Sequence, residues 1–160
     1  RNIEGSDAME TKAIAVRLVA KHNTRDPFRI ADAMGFIVVP APLVDMRGFQ
    51  QRTQRRNIIY INRDLDEHQQ RLVCAHELGH HLLHSGLNRM FMDHSTKFVT
   101  QKFENEAHQF SLELVYSDEE LNPFLTLPIV DAAAYMGVPV SLANRRMSTV
   151  QPTLWAGEWL

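Results

Sequence analysis

Apolar residues recur at helical spacing in two segments near the start of the chain. Ile14 and Leu18, with apolar neighbours on the same face, predict an amphipathic helix over residues 10–21. A second helix is expected to begin at Pro27, because proline suits the first turn of a helix. It is expected to stop at Gly35, because glycine is common just after a helix ends.

Three short strands are predicted in the segment that follows. Residues 36–39 form a continuous apolar run that stops at Pro40. Residues 48–51 and 57–61 predict two further strands, joined by the polar and basic turn 52–56. We therefore expect an α+β fold, in which helices pack on a small, mostly antiparallel sheet.

The middle of the chain predicts two longer helices. Asp64 and Glu67 have the spacing of a capping box, so one helix is expected to begin there and to end at Gly86. Residues 102–115 predict the second helix, with Thr100 as its cap. The connection between the two helices is expected to be loop-like.

The last part of the chain predicts a short helical hairpin. Residues 128–136 and 139–147 have helical patterns on either side of Gly137, and the arrangement resembles a helix-turn-helix. Arg145 and Arg146 close the second helix, but one arginine pair is not a basic face. We therefore expect this part to pack on the body or to contact a protein, and we do not expect direct nucleic-acid binding.

The strongest chemical signal is His76-Glu77-x-x-His80 in the first of the longer helices. Residues four positions apart lie on one face of a helix, so both imidazoles can reach one metal ion. Glu77 lies beside that face, within reach of a water molecule at the metal. A His-rich helix packed in the core is the alternative, but burying these three side chains without a metal would cost several kcal/mol.

A catalytic zinc site usually has three protein ligands, so a third must come from elsewhere. Glu104 and His108 lie four positions apart on one face of the predicted helix 102–115. Spacing favours these two without choosing between them. The full set of downstream candidates is His81, His84, His94, Glu104, Glu106 and His108.

Residues 23–116 resemble the ImmA/IrrE family of zinc metallopeptidases. The resemblance is carried by His-Glu-Leu-Gly-His and by a downstream Glu-x-x-Ala-x-x-Phe pattern. It implies a zincin-like fold and one Zn²⁺ per chain, held by His76, His80 and Glu104. The family usually has Asn where this chain has His108, which is a candidate for supporting Glu104. The matching segments are 23–31, 47–49, 58–62, 76–80 and 103–110.

The expected reaction is metal-assisted hydrolysis of a peptide bond. Glu77 is expected to accept a proton from the attacking water and to deliver it to the leaving amine. A second group that stabilises the oxyanion is commonly needed, and the candidates are Tyr60, His84 and His94. The substrate is expected to lie against strand 57–61 as the edge of the sheet.

Composition narrows the class of protein. The chain has 160 residues, 44% of them hydrophobic, and a net charge of −2, which is ordinary for a single globular domain with a small appendage. Cys74 is the only cysteine, so no intramolecular disulfide can form, which suits the cytoplasm. No segment is long and apolar enough to predict a membrane span.

These observations predict a metallopeptidase domain over residues 9–116 and a helical extension over residues 117–160. The family resemblance implies a bacterial, cytoplasmic endopeptidase, often encoded with mobile elements, that cleaves a cognate helix-turn-helix repressor. The alternative is a zinc-bearing regulatory or toxin-like module that acts by partner binding. An intact Glu77 argues against that alternative, because a purely structural zinc site has no use for the carboxylate.

Overall fold

The computed structural model describes residues 3–84 and 97–153. It confirms the α+β class, with helices packed on one small sheet. None of the helices in these two ranges is both long and apolar enough to cross a membrane. The elements are, in chain order, α1 (Ile3–His22), α2 (Pro27–Ala33), β1 (Phe36–Ala41), β2 (Gly48–Thr53), β3 (Arg56–Asn62), α3 (Glu67–His84), α4 (Lys97–Val115), α5 (Asp118–Leu121), a 3₁₀ helix (Asn122–Thr126), α6 (Ile129–Met136) and α7 (Val140–Met147).

The sheet has the strand order β1-β3-β2 and is mixed rather than mostly antiparallel. β2 and β3 form the expected antiparallel hairpin, while β1 pairs with β3 in parallel. After β1 the chain crosses to the opposite edge of the sheet, where it forms β2. It then turns back and forms β3 between the two edge strands, so β3 runs parallel to β1. Residues 57–61 therefore lie in the central strand, and the prediction that they form the substrate-binding edge is wrong.

Proline explains one boundary that the sequence placed too early. Pro40 lies within β1, where the strand continues to Ala41. β1 is an edge strand of this sheet, so one of its sides pairs with no other strand. Proline is tolerated in an edge strand because the N–H that it lacks is not needed on the unpaired side. The second helix matches its prediction closely, since Pro27 occupies its first turn and Asp26 Oδ1 accepts the N–H of Phe28 at 3.0 Å.

Helix α3 begins at Glu67, two residues later than a capping box with Asp64 as its cap predicts. Its cap is Asp66, whose Oδ1 accepts the N–H of Gln69 at 2.7 Å. Asp64 belongs instead to the turn after β3, where its own N–H donates to Asn62 Oδ1 at 3.0 Å. The local pattern was misleading because a tight turn and a helix cap use the same residue types.

Helix α4 begins at Lys97, so Thr100 lies within the helix and is not its cap. The predicted helix end at Gly86 and most of the predicted connection 87–99 fall outside the described residues. Helix α1 likewise begins earlier than predicted, at Ile3.

Two hydrophobic cores meet at α3 and α4. The larger one joins α1, α2, the sheet and both long helices through Ala15, Ile30, Ile59, Leu78 and Phe110. The smaller one packs the C-terminal helices on the same pair through Leu72, Leu112, Tyr116, Met136 and Ala143. Because each buried leucine or phenylalanine contributes roughly 1.5–3 kcal/mol, α3 and α4 are held firmly from both sides.

The α6–α7 hairpin is fastened to the start of α3. Gly137 ends α6 with a φ of 68°, a left-handed conformation that glycine adopts without strain. His68 Nε2 lies 2.9 Å from the carbonyl oxygen of Met136, and Gln69 Nε2 donates to the carbonyl oxygen of Gly137 at 3.1 Å. The turn of the hairpin therefore has a fixed place, although the division of the chain at residue 116 stays a prediction.

Candidate metal centre

Helices α3 and α4 approach each other closely where the candidate ligands lie. Gly79 faces the ring of Phe110, and a Cβ at position 79 would lie only 2.9 Å from Phe110 Cδ1. Any larger residue would push the helices apart or displace the buried ring. Gly79 therefore sets the helix spacing that lets side chains from α3 and α4 meet.

His76 and His80 on α3 meet Glu104 on α4. His76 Nε2 lies 3.1 Å from Glu104 Oε2, and His80 Nε2 lies 2.8 Å from Glu104 Oε1. The two Nε2 atoms are themselves 3.1 Å apart, and one potential ligand atom from each of the three residues lies within 4.8 Å of the others. Of the two residues that spacing left open, it is Glu104 whose carboxylate joins the histidines.

The donor set fits a divalent cation. Two neutral imidazole nitrogens cannot face each other at this distance unless a proton or a cation lies between them, because each presents a lone pair. Hydrogen bonds with His76 and then His80 hold the pKa of Glu104 well below its usual range. Burial is the largest influence on the pKa of His80 and acts to lower it, but the hydrogen bond with Glu104 and the negative charges of Glu104 and Glu77 together raise it. Two histidines and one carboxylate are a common zinc-binding set.

Glu77 is buried beside this group and is held by the sheet. Gln50 on β2 donates from Nε2 to the carbonyl oxygen of Glu77 at 2.9 Å and to its Oε2 at 3.1 Å. Glu77 also lines the cavity that His76 and Glu104 line. Sequence reasoning missed Gln50, because its role depends on β2 lying along α3, which only the three-dimensional arrangement reveals.

His108 is in the same cavity, but its contact is with a histidine. Its ring centroid lies 4.3 Å from that of His76. Burial, followed by the positive charge of His76, lowers the pKa of His108 to about 4, so its imidazole is neutral near pH 7. The ring of His108 thus packs against the ring of His76, next to the three clustered side chains.

The other candidates from the sequence lie elsewhere. His84 is buried behind His80 and points its Nε2 at Glu106 Oε2, 2.9 Å away. Tyr60 stacks on Phe49 with ring centroids 4.7 Å apart, outside the cavity lining. His81 packs edge-on against Phe36, and His94 falls outside the described residues.

Cys74 lies two positions before His76 and takes no part in the site. The side chain is fully buried, and burial raises the pKa of its thiol to about 12. A thiol that stays protonated is neither a ready nucleophile nor a ready ligand. Its place in the larger core is that of a small apolar residue.

A cavity of about 510 Å³ opens beside the clustered side chains. Its lining includes His76, Glu77, Glu104 and His108, and it also includes Gly48 at the start of β2. Most of the remaining lining is apolar and includes residues of the α6–α7 hairpin, and its polar members are Arg47, Gln69 and Ser111. The cavity therefore combines a cluster of potential metal ligands, a carboxylate and room for a substrate.

Comparison with known proteins gives a consistent family. The model of the IrrE N-terminal-like domain family, Peptidase_M78, matches residues 31–148. The chain is 35% identical over 136 residues to "Uncharacterized immunity region protein 2" of Bacillus phage phi105, covering 83% of this chain and 86% of the relative. It is 30% identical over 141 residues to "Metallopeptidase ImmA" of Bacillus subtilis (strain 168), covering 83% of this chain and 81% of the relative. The chain belongs to the ImmA/IrrE family of peptidases.

Proposed function

We propose that this chain is a zinc-dependent endopeptidase whose substrate is a cognate helix-turn-helix transcriptional repressor. The observation that carries the peptidase part is the meeting of His76, His80 and Glu104 beside Glu77, which Gln50 holds in place. A structural zinc site would fill its fourth position with a protein ligand and would not need that carboxylate.

The residues have distinct roles in this proposal. His76, His80 and Glu104 hold one Zn²⁺, which when bound polarises the scissile carbonyl group and makes water more acidic. Glu77 accepts a proton from the attacking water and delivers it to the leaving amine. Gln50 keeps the Glu77 carboxylate aimed into the cavity by donating to its Oε2.

The substrate backbone has a natural place along β2. This strand is an edge of the described sheet, and it lies beside α3 through the Gln50–Glu77 contact. An extended peptide can add to such an edge by backbone hydrogen bonding. β2 therefore replaces the central strand as the proposed guide for the peptide.

The repressor part of the proposal rests on the relatives. One is described as an immunity region protein of a phage, and another as a metallopeptidase. A repressor is the target that fits a peptidase encoded in an immunity region, because immunity depends on repression. We place the reaction in the bacterial cytoplasm, where the single buried cysteine would stay reduced.

Metal content tests the ligand set. We expect near-stoichiometric zinc in the wild type, loss of zinc in Glu104→Ala and retention in His108→Ala, measured by mass spectrometry. Retention of zinc in Glu104→Ala would contradict the ligand assignment.

Cleavage tests the reaction. The wild type, incubated with the helix-turn-helix repressor encoded nearest to its gene, is expected to give two defined fragments. Glu77→Gln is expected to retain zinc and to leave the repressor intact. Normal cleavage by that variant would refute the role of Glu77. Zinc binding with tight repressor binding and no cleavage by the wild type would favour the regulatory or toxin-like module instead.

A further inference from the structure

The apolar wall of the cavity begins one helical turn from the clustered ligands. Leu72 precedes His76 by four positions on α3, and Leu112 follows His108 by four positions on α4. Four residues of helix span about 6 Å along the axis. Both leucines line the cavity, as do His76, Glu104 and His108. A substrate side chain next to the scissile bond would therefore reach this wall if it were as long as leucine or phenylalanine.

The outer part of the wall comes from the helical hairpin. Val138 and Pro139 at the turn between α6 and α7, and Leu142 on α7, line the cavity. Val138 and Leu142 are half-buried, so part of the apolar surface of each is left uncovered by the described residues.

This wall is rigid because α3 holds the turn of the hairpin. His68 and Gln69, one turn before Leu72, contact the carbonyl oxygens of Met136 and Gly137. Tyr116 adds a hydrogen bond from its hydroxyl group to the carbonyl oxygen of Met136 at 3.3 Å. A wall that is fixed before the substrate arrives discriminates by size, because it does not relax around a poor fit.

The chemistry of the wall selects against charge. Leu72, Leu112 and Leu142 offer no hydrogen-bond partner, so an Asp, Glu or Lys side chain placed among them would lose its hydration without compensation. The polar members of the lining already have partners, since Arg47 donates to Gln69, Gln69 to the carbonyl oxygen of Gly137, and Ser111 to that of His108. A long apolar side chain would be favoured because it leaves water. The cavity therefore favours a long apolar side chain at this position.

We infer that this cavity is the specificity pocket for the residue next to the scissile bond, and that the α6–α7 hairpin makes the enzyme select leucine, methionine or phenylalanine there. The inference rests on the proposed peptidase function and deepens it. Such residues are normally buried in folded proteins. The substrate must therefore present the cleaved segment in a linker or after local unfolding.

Binding of two small hydroxamates tests this inference without relying on catalysis. N-acetyl-leucine hydroxamate and N-acetyl-glycine hydroxamate share the metal-binding group and differ only in the side chain. Calorimetry with the zinc-loaded wild type is expected to give an affinity about tenfold or more higher for the leucine compound. In Leu142→Trp the indole fills the pocket, so the advantage is expected to vanish while binding of the glycine compound is retained.

Val140→Ala is the matched control. Val140 lies on α7 with an exposed side chain and outside the cavity lining, so this variant is expected to keep the leucine advantage. Val138→Phe is a second variant that fills the pocket, and it is expected to lose the leucine advantage as well. It replaces Leu142→Trp if circular dichroism shows that Leu142→Trp folds poorly.

Equal affinities of the two compounds for the wild type would overturn the specificity pocket and leave the peptidase proposal standing. Failure of both compounds to bind the zinc-loaded protein would instead remove the metal centre of the proposed function, and the pocket beside it would lose its role. A leucine advantage that persists in both filling variants would overturn the part assigned to the hairpin.

Discussion

His84 stands directly behind His80, with the two Nδ1 atoms 3.0 Å apart. The other ring nitrogen of His84 lies 2.9 Å from Glu106 Oε2, and the side chain is almost fully buried. His80 thus has one nitrogen turned to Glu104 and the other backed by a histidine whose own orientation is fixed by a carboxylate. Such partners orient metal ligands, and their removal typically lowers metal affinity by about 10–100-fold.

Loss of Glu106 should therefore weaken metal binding without removing a ligand. We expect Glu106→Ala to bind zinc about tenfold or more weakly, because His84 loses the acceptor that holds it against His80. Competition with a chromogenic chelator measures the affinity directly. Lys102→Ala is the control, since Lys102 lies 3.9 Å from Glu106 at an exposed position and leaves the His84 contact intact. Equal zinc affinity in Glu106→Ala and wild type would contradict this role.

The contact between Gln50 and Glu77 predicts that loss of Gln50 lowers kcat and leaves zinc binding unchanged. Gln50→Ala removes the donor to Glu77 Oε2, so we expect kcat to fall about fivefold, as the loss of one hydrogen bond worth about 1 kcal/mol implies. Zinc content should stay at the wild-type level, because Gln50 does not touch the ligand group. Gln51→Ala is the matched control, since Gln51 is exposed on the same strand and its side chain contacts Tyr60. A similar decline in both variants would indicate that strand β2, and not this contact, was damaged.

His108 predicts a pH dependence in the stability of the zinc-free protein. Its pKa is lowered to about 4 in the folded protein, against an ordinary value of 6.5. The unfolded chain therefore binds the proton more readily, and stability is lost as the pH falls from about 6.5 towards 4. Denaturant unfolding at pH 7 and pH 5 should show a smaller loss in His108→Gln than in the wild type. An identical loss in both proteins would show that His108 does not contribute.

The grouping of the two histidines could be predicted from the sequence because it depends on helical spacing. His76 and His80 lie four positions apart, and that spacing alone places them on one face of α3. Spacing could not decide whether Glu104 or His108 joins the two histidines, because both residues lie on one face of α4. The packing of α3 against α4 decides which residue meets the histidines, and the close contact between Gly79 and Phe110 is part of that packing.

The errors share a physical cause. Strand 57–61 was assigned to the edge of the sheet because a local pattern does not reveal which strand returns to the middle. Asp64 was assigned as a cap because aspartate stabilises turns and helix starts by similar hydrogen bonds. The sequence does not point to Gln50, and it offers Glu106 only as a candidate metal ligand. Their contacts with Glu77 and His84 join residues that are distant in sequence, so no local pattern predicts them. Local propensity predicts elements, whereas tertiary contacts decide the pairings between them.

Arg145 and Arg146 are neighbours at the end of α7 with opposite environments. Arg146 is only 1% exposed and pairs with Asp118 at 2.8 Å and with Glu113 at 3.3 Å. Burial raises the pKa of Glu113, and Arg146 counteracts that rise. Arg145 is exposed. The buried member of the pair is therefore part of the structure and is not free to contact nucleic acid.

Arg146→Ala should be severely destabilising, while Arg145→Ala should not. Removing Arg146 leaves Glu113 buried without its cation, and breaking such a buried pair typically costs about 3–5 kcal/mol. It also removes the donor to the carbonyl oxygen of Tyr116, which ties α7 to the end of α4. Arg145→Ala is expected to change the free energy of unfolding by less than about 0.5 kcal/mol, as is usual for a surface substitution. Denaturant midpoints of the two variants measure the contrast, and equal midpoints would mean that the ion pairs of Arg146 add no net stability.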